Sequence, residues 1–307
     1  MKAISVSLLS LNALLWGTYY VVTKRALSAI DPLCFASLDV AATAPLAVLL
    51  ICLTRNHLNR SSLRRGAILG VSLSAAVLGS TVALRYASAT DTAFFPALNG
   101  LVVAIMSAAI FREHQRPAVW LSGSVSAVGA LLILLESGAH GFLFGDFLAL
   151  LAAFMYAVYI FVVDRQSPSG TGETWVVFGI ELIVLALVSG GVAIIFGKWN
   201  LSAIRSEAGP IIYVGLATTF LPTAISLQFQ RHVQPVVVAF LYALEPVWGA
   251  VLARYVLGEA IRGEIYFGGS LIVIGSFLVV AAEHRRTCGA RNLSPPGQAE
   301  SHFTSLV

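Results

Sequence analysis

Residues 239–260 read AFLYALEPVWGAVLARYVLGEA, and residues 93–114, lying 146 positions earlier, read AFFPALNGLVVAIMSAAIFREH. The two align without a gap, and the likeness carries residues 85–130 onto 231–276. Arg85 meets Arg231, Ala97-Leu98 meets Ala243-Leu244, and Ala104 meets Ala250. Further along, Glu113 meets Glu259, Arg116 meets Arg262, Gly123-Ser124 meets Gly269-Ser270, and Gly129 meets Gly275. Unrelated oily segments share Ala and Leu through composition alone, but not a spaced set of Arg, Glu, Arg and Gly. A weaker match at a shift of 140 lays Trp16, Tyr19, Val22 and Arg25 on Tyr156, Tyr159, Val162 and Arg165. The chain is written twice.

Composition names the solvent. Of 307 residues, 58% are hydrophobic and 11% charged, and the mean hydropathy is +0.85. A soluble domain carries about 25% charged residues, whereas a helix crossing hydrocarbon needs about 20 apolar ones in a row. Such runs fall at 4–23, 33–54, 66–84, 92–111, 117–135, 147–163, 175–197, 210–230, 235–256 and 265–282. The breaks between them are short and rich in Arg, Asn, Asp, Pro and Gly, as turns between antiparallel helices should be. The expectation is an all-α integral membrane protein of ten transmembrane helices in two five-helix repeats, 4–136 and 146–283. A polar tail, 284–307, is expected to be disordered and cytoplasmic. Five spans per half is an odd number, so the second half must thread the bilayer in the opposite sense. Inverted repeats of this kind build one transport site between two halves.

The basic residues set the expected orientation. With the amino terminus inside, twelve Lys or Arg fall on inner segments against seven on outer ones, which places both termini in the cytoplasm of a cell inner or plasma membrane. Residues 4–23 are long enough to span and are followed by Lys24-Arg25, which reads as an uncleaved first helix rather than a signal peptide. The net charge of +4 lies in short loops and forms no basic stripe, so no nucleic-acid partner is expected. Cys34, Cys52 and Cys288 are scattered, and the six histidines share no ligand spacing, so no metal and no cofactor is implied. A nucleotide-binding loop is also missing.

The paired halves, Trp16-Gly17 in the first span, and LEPVWGAVLARYVLGE at 244–259 together resemble the drug/metabolite transporter superfamily, and within it the EamA-like family. Gln228–Gly258 and the Gly-Ser pairs with a later Gly in spans five and ten carry the same resemblance. It covers residues 4–283. It implies export of amino acids, metabolites or drugs, driven by protons or by exchange of another solute, through a cavity enclosed by spans one to four and six to nine. Many relatives carry an arginine mid-way along the second span, where this chain has Asp39. That reversal of sign withholds any borrowed substrate.

Four full charges lie inside the expected spans: Asp39, Glu181, Glu245 and Arg254. Each costs about 2.5–3.5 kcal/mol at a helix centre on insertion scales, which marks intramembrane charges as functional candidates. Glu245 is followed by Pro246, which loosens the helix, and the equivalent pair in the first half is Asn99-Gly100. Asp39 and Glu181 correspond at a shift of 142. Two readings stand for these acids: proton coupling or cation binding, and neutral groups hydrogen-bonded between helices. Asn12, Trp16 and Tyr19, with Tyr20, share one helical face. Tyr156 and Tyr159 repeat the pattern, and Tyr242 and Trp248 bracket Glu245. Aromatic faces beside carboxylates suit an amine, although such stripes also serve packing. Glu113 with Arg116 and Glu259 with Arg262 are expected to pair locally, and Arg254 to reach the interface.

The function expected is therefore a secondary transporter, not an enzyme, exporting a small amino acid, amine-like or drug-like solute by alternating access, as a monomer or homodimer. The alternatives are a membrane-embedded enzyme and a receptor or scaffold without transport.

Overall fold

The computed structural model describes residues 2–112, 117–139, 143–166, 170–229, 242, 244–260, 263, 265–275 and 277–278. Every regular element among them is helical. The first half holds α1 (Lys2–Ala26), α2 (Pro32–Ala41), α3 (Ala44–Leu53), α4 (Arg60–Tyr86), α5 (Ala89–Phe94), α6 (Asn99–Phe111) and α7 (Pro117–Ala139). The second holds α8 (Leu143–Gln166), α9 (Thr171–Phe196), α10 (Leu201–Ser206), α11 (Ala208–Tyr213) and α12 (Leu221–Phe229), then a helix at Glu245–Leu252 and another at Ile265–Gly275.

Among the described residues, seven helical stretches are long and apolar enough to cross a membrane: Ile4–Ala26, Pro32–Leu53, Arg60–Tyr86, Ala89–Ile110, Phe144–Val163, Thr171–Phe196 and Ala208–Ser226. Pro117–Ile133 and Ile265–Gly275 are shorter apolar helices. Of the ten expected spans, the eighth, ninth and tenth run partly outside the described residues, and the tail, Glu113, Arg116 and Arg262 lie wholly outside them.

Local chemistry explains where helices start and stop. Asp31 caps α2, its Oδ1 accepting from the backbone N–H groups of Leu33 at 3.0 Å and Cys34 at 3.3 Å, with Pro32 in the first turn. Asn59 and Ser62 form a capping box at α4. The second span is broken at Ala42-Thr43, because Pro45 has no N–H to continue the ladder. In the eighth span, Val214–Phe220 is a π-helix, and a Cβ at Gly215 would run into the Asp39 carbonyl.

Helix α4 is the central strut, packed between α8 and α9. Gly66, Gly70 and Ser74 recur every fourth residue on α4, the small-residue spacing that lets helices approach closely in a bilayer. An added Cβ would stand 2.6 Å from Ile180 Cβ at Gly66 and 2.7 Å from the Glu181 carbonyl at Gly70. Helix α1 crosses the Glu245 helix just as tightly, with Gly17 against Trp248, and Gly249 brings that helix against Ala93 of α5.

Two polar ends cap this bundle. At one, residues 28–33, Arg85, Tyr86, Lys198 and Asn200 line a cleft of about 480 Å³, and Gly145 at the start of α8 lies against Tyr86 and Ala87. At the other, Gly172 lies against the His57 ring, and Arg65 pairs with Glu173 at 2.9 Å.

Candidate functional site

Helix α1 carries the expected face into the middle of the bundle. Asn12 is fully buried, and its amide N–H groups donate to the Pro222 carbonyl at 3.0 Å and to Ser226 Oγ at 3.1 Å. A longer bond, 3.4 Å, reaches the Tyr242 hydroxyl. A carbonyl can only accept, so Pro222 fixes which way the Asn12 amide points. Among the described residues the Asn12 oxygen has no partner. Tyr242 and Ser226 share a further hydrogen bond at 2.7 Å, and Trp16 meets the Tyr242 ring edge-on with centroids 4.9 Å apart.

Farther along the same helix come the tyrosines. The Tyr19 hydroxyl bonds Thr81 Oγ1 at 3.1 Å and Ser80 Oγ at 3.5 Å. Tyr20 donates to Glu245 Oε1 at 2.8 Å. From α8, Tyr159 donates to Glu181 Oε1 at 2.6 Å. Tyr156, one turn earlier, lies within electrostatic reach of Glu245, Asp39 and Tyr19, and Tyr159 within reach of Tyr156. Asp39 is 1% exposed, and its Oδ1 has no hydrogen-bond partner among the described residues.

Tyr20 and Tyr159 thus hydrogen-bond the acids of the Glu245 helix and α9, while Tyr19 and Tyr156 stand within electrostatic reach of Asp39 on α2. Among the described residues, neither lysine nor arginine pairs with Asp39, Glu181 or Glu245. Three carboxyl groups share one interior with no fixed cation, and two of them are held by phenol hydroxyls.

The expected helix-loosening pairs stand at equivalent places in the two halves. In the first half a 3₁₀ turn at Phe95–Leu98 contains Pro96, and α6 restarts at Asn99. In the second half a helix starts at Glu245 with Pro246 in its first turn. Position 99 plus the shift of 146 is 245, so both halves begin a helix at the equivalent residue. At the first of these the 3₁₀ turn runs into α6 without a gap, the Asn99 N–H bonding the Pro96 carbonyl. Asn99 Oδ1 is buried there with no partner among the described residues, and Gly100 follows it in α6. Trp248 sits apart from the tyrosines, 39% exposed, at the crossing with Gly17.

Glu259, whose expected local partner Arg262 lies outside the described residues, reaches across to the first half. Its carboxylate accepts from the Ala89 and Thr90 backbone N–H groups at 2.9 and 3.1 Å and from Thr90 Oγ1 at 2.7 Å. These are open donors at the start of α5, which the helix itself leaves unpaired. Arg254 is exposed at this end and reaches the Glu259 carbonyl at 3.5 Å. Ser226, Ser80 and Thr81 carried no signal in the sequence, since a lone hydroxyl in an oily span satisfies itself on its own helix as readily as on another. Tyr20 did carry one, standing eight residues after Asn12 on the same face.

The EamA-like transporter family model matches residues 3–135 and again residues 143–281. The chain belongs to the EamA-like transporter family. Two proteins of Archaeoglobus fulgidus, each named uncharacterized transporter, resemble it along most of its length. One is 23% identical over 288 residues, 91% of this chain and 98% of its own. The other is 24% identical over 278 residues, 88% of this chain and 84% of its own. A Clostridium kluyveri protein of the same name is 24% identical over 245 residues, 76% of each chain. A solved crystal structure matches with a TM-score of 0.63 at 20% identity, covering 93% of this chain and 99% of its own, which speaks to the fold alone. This EamA-family protein is a multi-pass membrane transporter.

Proposed function

We propose that this transporter exports a small amine-bearing solute by alternating access, exchanging it for protons carried on Asp39, Glu181 and Glu245. One observation carries the reading: Glu245 and Glu181 are held by the hydroxyls of Tyr20 and Tyr159, with Tyr156 within electrostatic reach of Glu245 and Asp39, and no lysine or arginine among the described residues pairs with any of the three acids. An isolated carboxylate is costly in a low-dielectric interior, so it must hold either a proton or a cation. A carboxyl group that can hold one or the other, but not both, makes the two compete. Competition at a site open first to one side and then to the other produces exchange.

The partnerless atoms point to the same cargo. Asn12 Oδ1, Asp39 Oδ1 and Asn99 Oδ1 are all buried acceptors. Such atoms call for donors, which an ammonium supplies, and the tyrosine faces add cation–π attraction. Helix α1 runs toward the end that carries Lys24, whereas α8 starts at that end, beside Tyr86, and leads toward the Arg65–Glu173 end. Opposite directions for the first helices of the two halves support an inverted repeat of ten spans, the architecture that suits this cycle.

The test is flux in proteoliposomes. Accumulation of an amine such as tyramine against its gradient, driven by an imposed pH gradient and abolished when that gradient is collapsed, is the result expected. Flux of every amine tested that ignores the pH gradient would overturn the exchange.

A further inference from the structure

Glu259 belongs to the second half, yet its carboxylate spans the start of a helix in the first half, taking three hydrogen bonds of 2.7–3.1 Å from Ala89 and Thr90. We infer that Glu259 is a positioning residue of the transport cycle: its bond to the start of the Ala89–Ile110 span latches one end of the protein shut, and opening that end requires its release. The inference rests on the alternating-access reading for its role, while the contact stands by itself.

The local sequence builds the latch. Gly258 follows the π-helical turn Ala253–Leu257 with φ of 70°, a left-handed conformation that side chains other than Gly or Asn rarely adopt. The Glu259 N–H and the Gly258 N–H then both return to the Ala253 carbonyl, the former at 3.3 Å, closing the wide turn. Thus Gly258 reverses the chain, and the next side chain is thrown across to its neighbour. Both carboxylate oxygens are used, Oε1 by Ala89 and Oε2 by Thr90. A charged acceptor on open helix donors forms bonds about twice as strong as neutral ones.

A second feature braces it. Lys24 at the end of α1 donates to the Leu84 and Ala87 carbonyls at 2.7 and 2.6 Å, holding the end of α4. The same ammonium lies within electrostatic reach of Glu259 and Asp91. Arg85 in turn bonds the Leu27 carbonyl. Four chain segments from both halves converge on one charged knot. Lys24 is four residues beyond Tyr20, about 6 Å along α1, so the knot lies between the tyrosine–carboxylate cluster and this end of the molecule. The donors it covers are backbone groups that water can satisfy once the end opens, which makes the contact reversible.

The test uses full-length protein in nanodiscs, with native cysteines replaced and spin labels at Tyr86→Cys and Tyr255→Cys. These positions are 51% and 84% exposed and flank the latch on opposite halves. The unaltered latch should give one short distance. Glu259→Gln should move the population about tenfold toward a longer one, Thr90→Val should move it less, and Thr90→Val added to Glu259→Gln should change little. A distribution that ignores both variants, or that responds to Thr90→Val equally with and without Glu259, would overturn the latch. The distance is read without cargo, so protein that latches but carries no amine would instead sink the proposed function. Thr90→Val leaves the backbone bonds in place and covers the case in which Glu259→Gln does not fold.

Discussion

Replacing Glu245 by Gln removes one charge at the centre of the site while keeping the shape of the side chain. The carboxylate has one oxygen on the Tyr20 hydroxyl at 2.8 Å, and its other oxygen has no hydrogen-bond partner among the described residues. A glutamine carbonyl can still accept from Tyr20, so the helix crossing should survive. What disappears is the charged acceptor offered to an ammonium. A hydrogen bond to a charged group contributes about 1.5–3 kcal/mol, and each 1.4 kcal/mol is a factor of about ten. Amine affinity should therefore fall roughly 10- to 150-fold, and one proton should drop out of the exchange. Calorimetric titration of an amine into purified protein measures the first, and proton release in weakly buffered solution measures the second. An affinity within twofold of the original, together with undiminished pH-driven flux, would refute a role for Glu245 in binding cargo. The reasoning requires that Glu245→Gln unfold at nearly the original temperature, which the same preparation checks.

Other outcomes follow from the geometry. Tyr159→Phe removes the hydroxyl that holds Glu181 at 2.6 Å and should destabilise the protein by about 1–3 kcal/mol, a loss that Glu181→Leu in the same chain should partly restore in thermal unfolding. Gly249→Val would bring a Cβ to 2.7 Å from Ala93 Cβ, against an optimum of about 3.5–4.0 Å; because Ala93 has no flexible end to move, about 1–3 kcal/mol of overpacking is expected, read as a lower unfolding temperature. Asn12→Asp takes away the donor facing the Pro222 carbonyl and should cost more stability than Asn12→Ser in the same assay. Arg65→Ala, by contrast, should cost less than about 1 kcal/mol, because its bridge to Glu173 is 34% and 27% exposed on the two sides.

Much of this was legible before any coordinates. The bilayer is an apolar solvent that forces backbone groups to pair within helices, so oily runs between polar breaks announce themselves along the chain. The shift of 146 placed Asn99 opposite Glu245, and both prove to be first residues of helices. The acids stood out because charge is rare where the sequence is otherwise oily. Tyr20 and Tyr159 were visible as members of stripes, because a helix repeats its faces every three to four residues.

Which stripe meets which acid was decided only by tertiary packing. Tyr20 and Glu245 are 225 positions apart, and no periodicity says that α1 crosses the Glu245 helix closely enough for a 2.8 Å bond. The same is true of Asn12 and Ser226, and of Glu259 with Ala89, where the sequence favoured a partner three residues away. Spacing along one helix is fixed by its own geometry and can be read in one dimension. Contact between helices depends on glycines such as Gly17 and Gly249 that set how near two backbones come, and that distance exists only once the chain has folded.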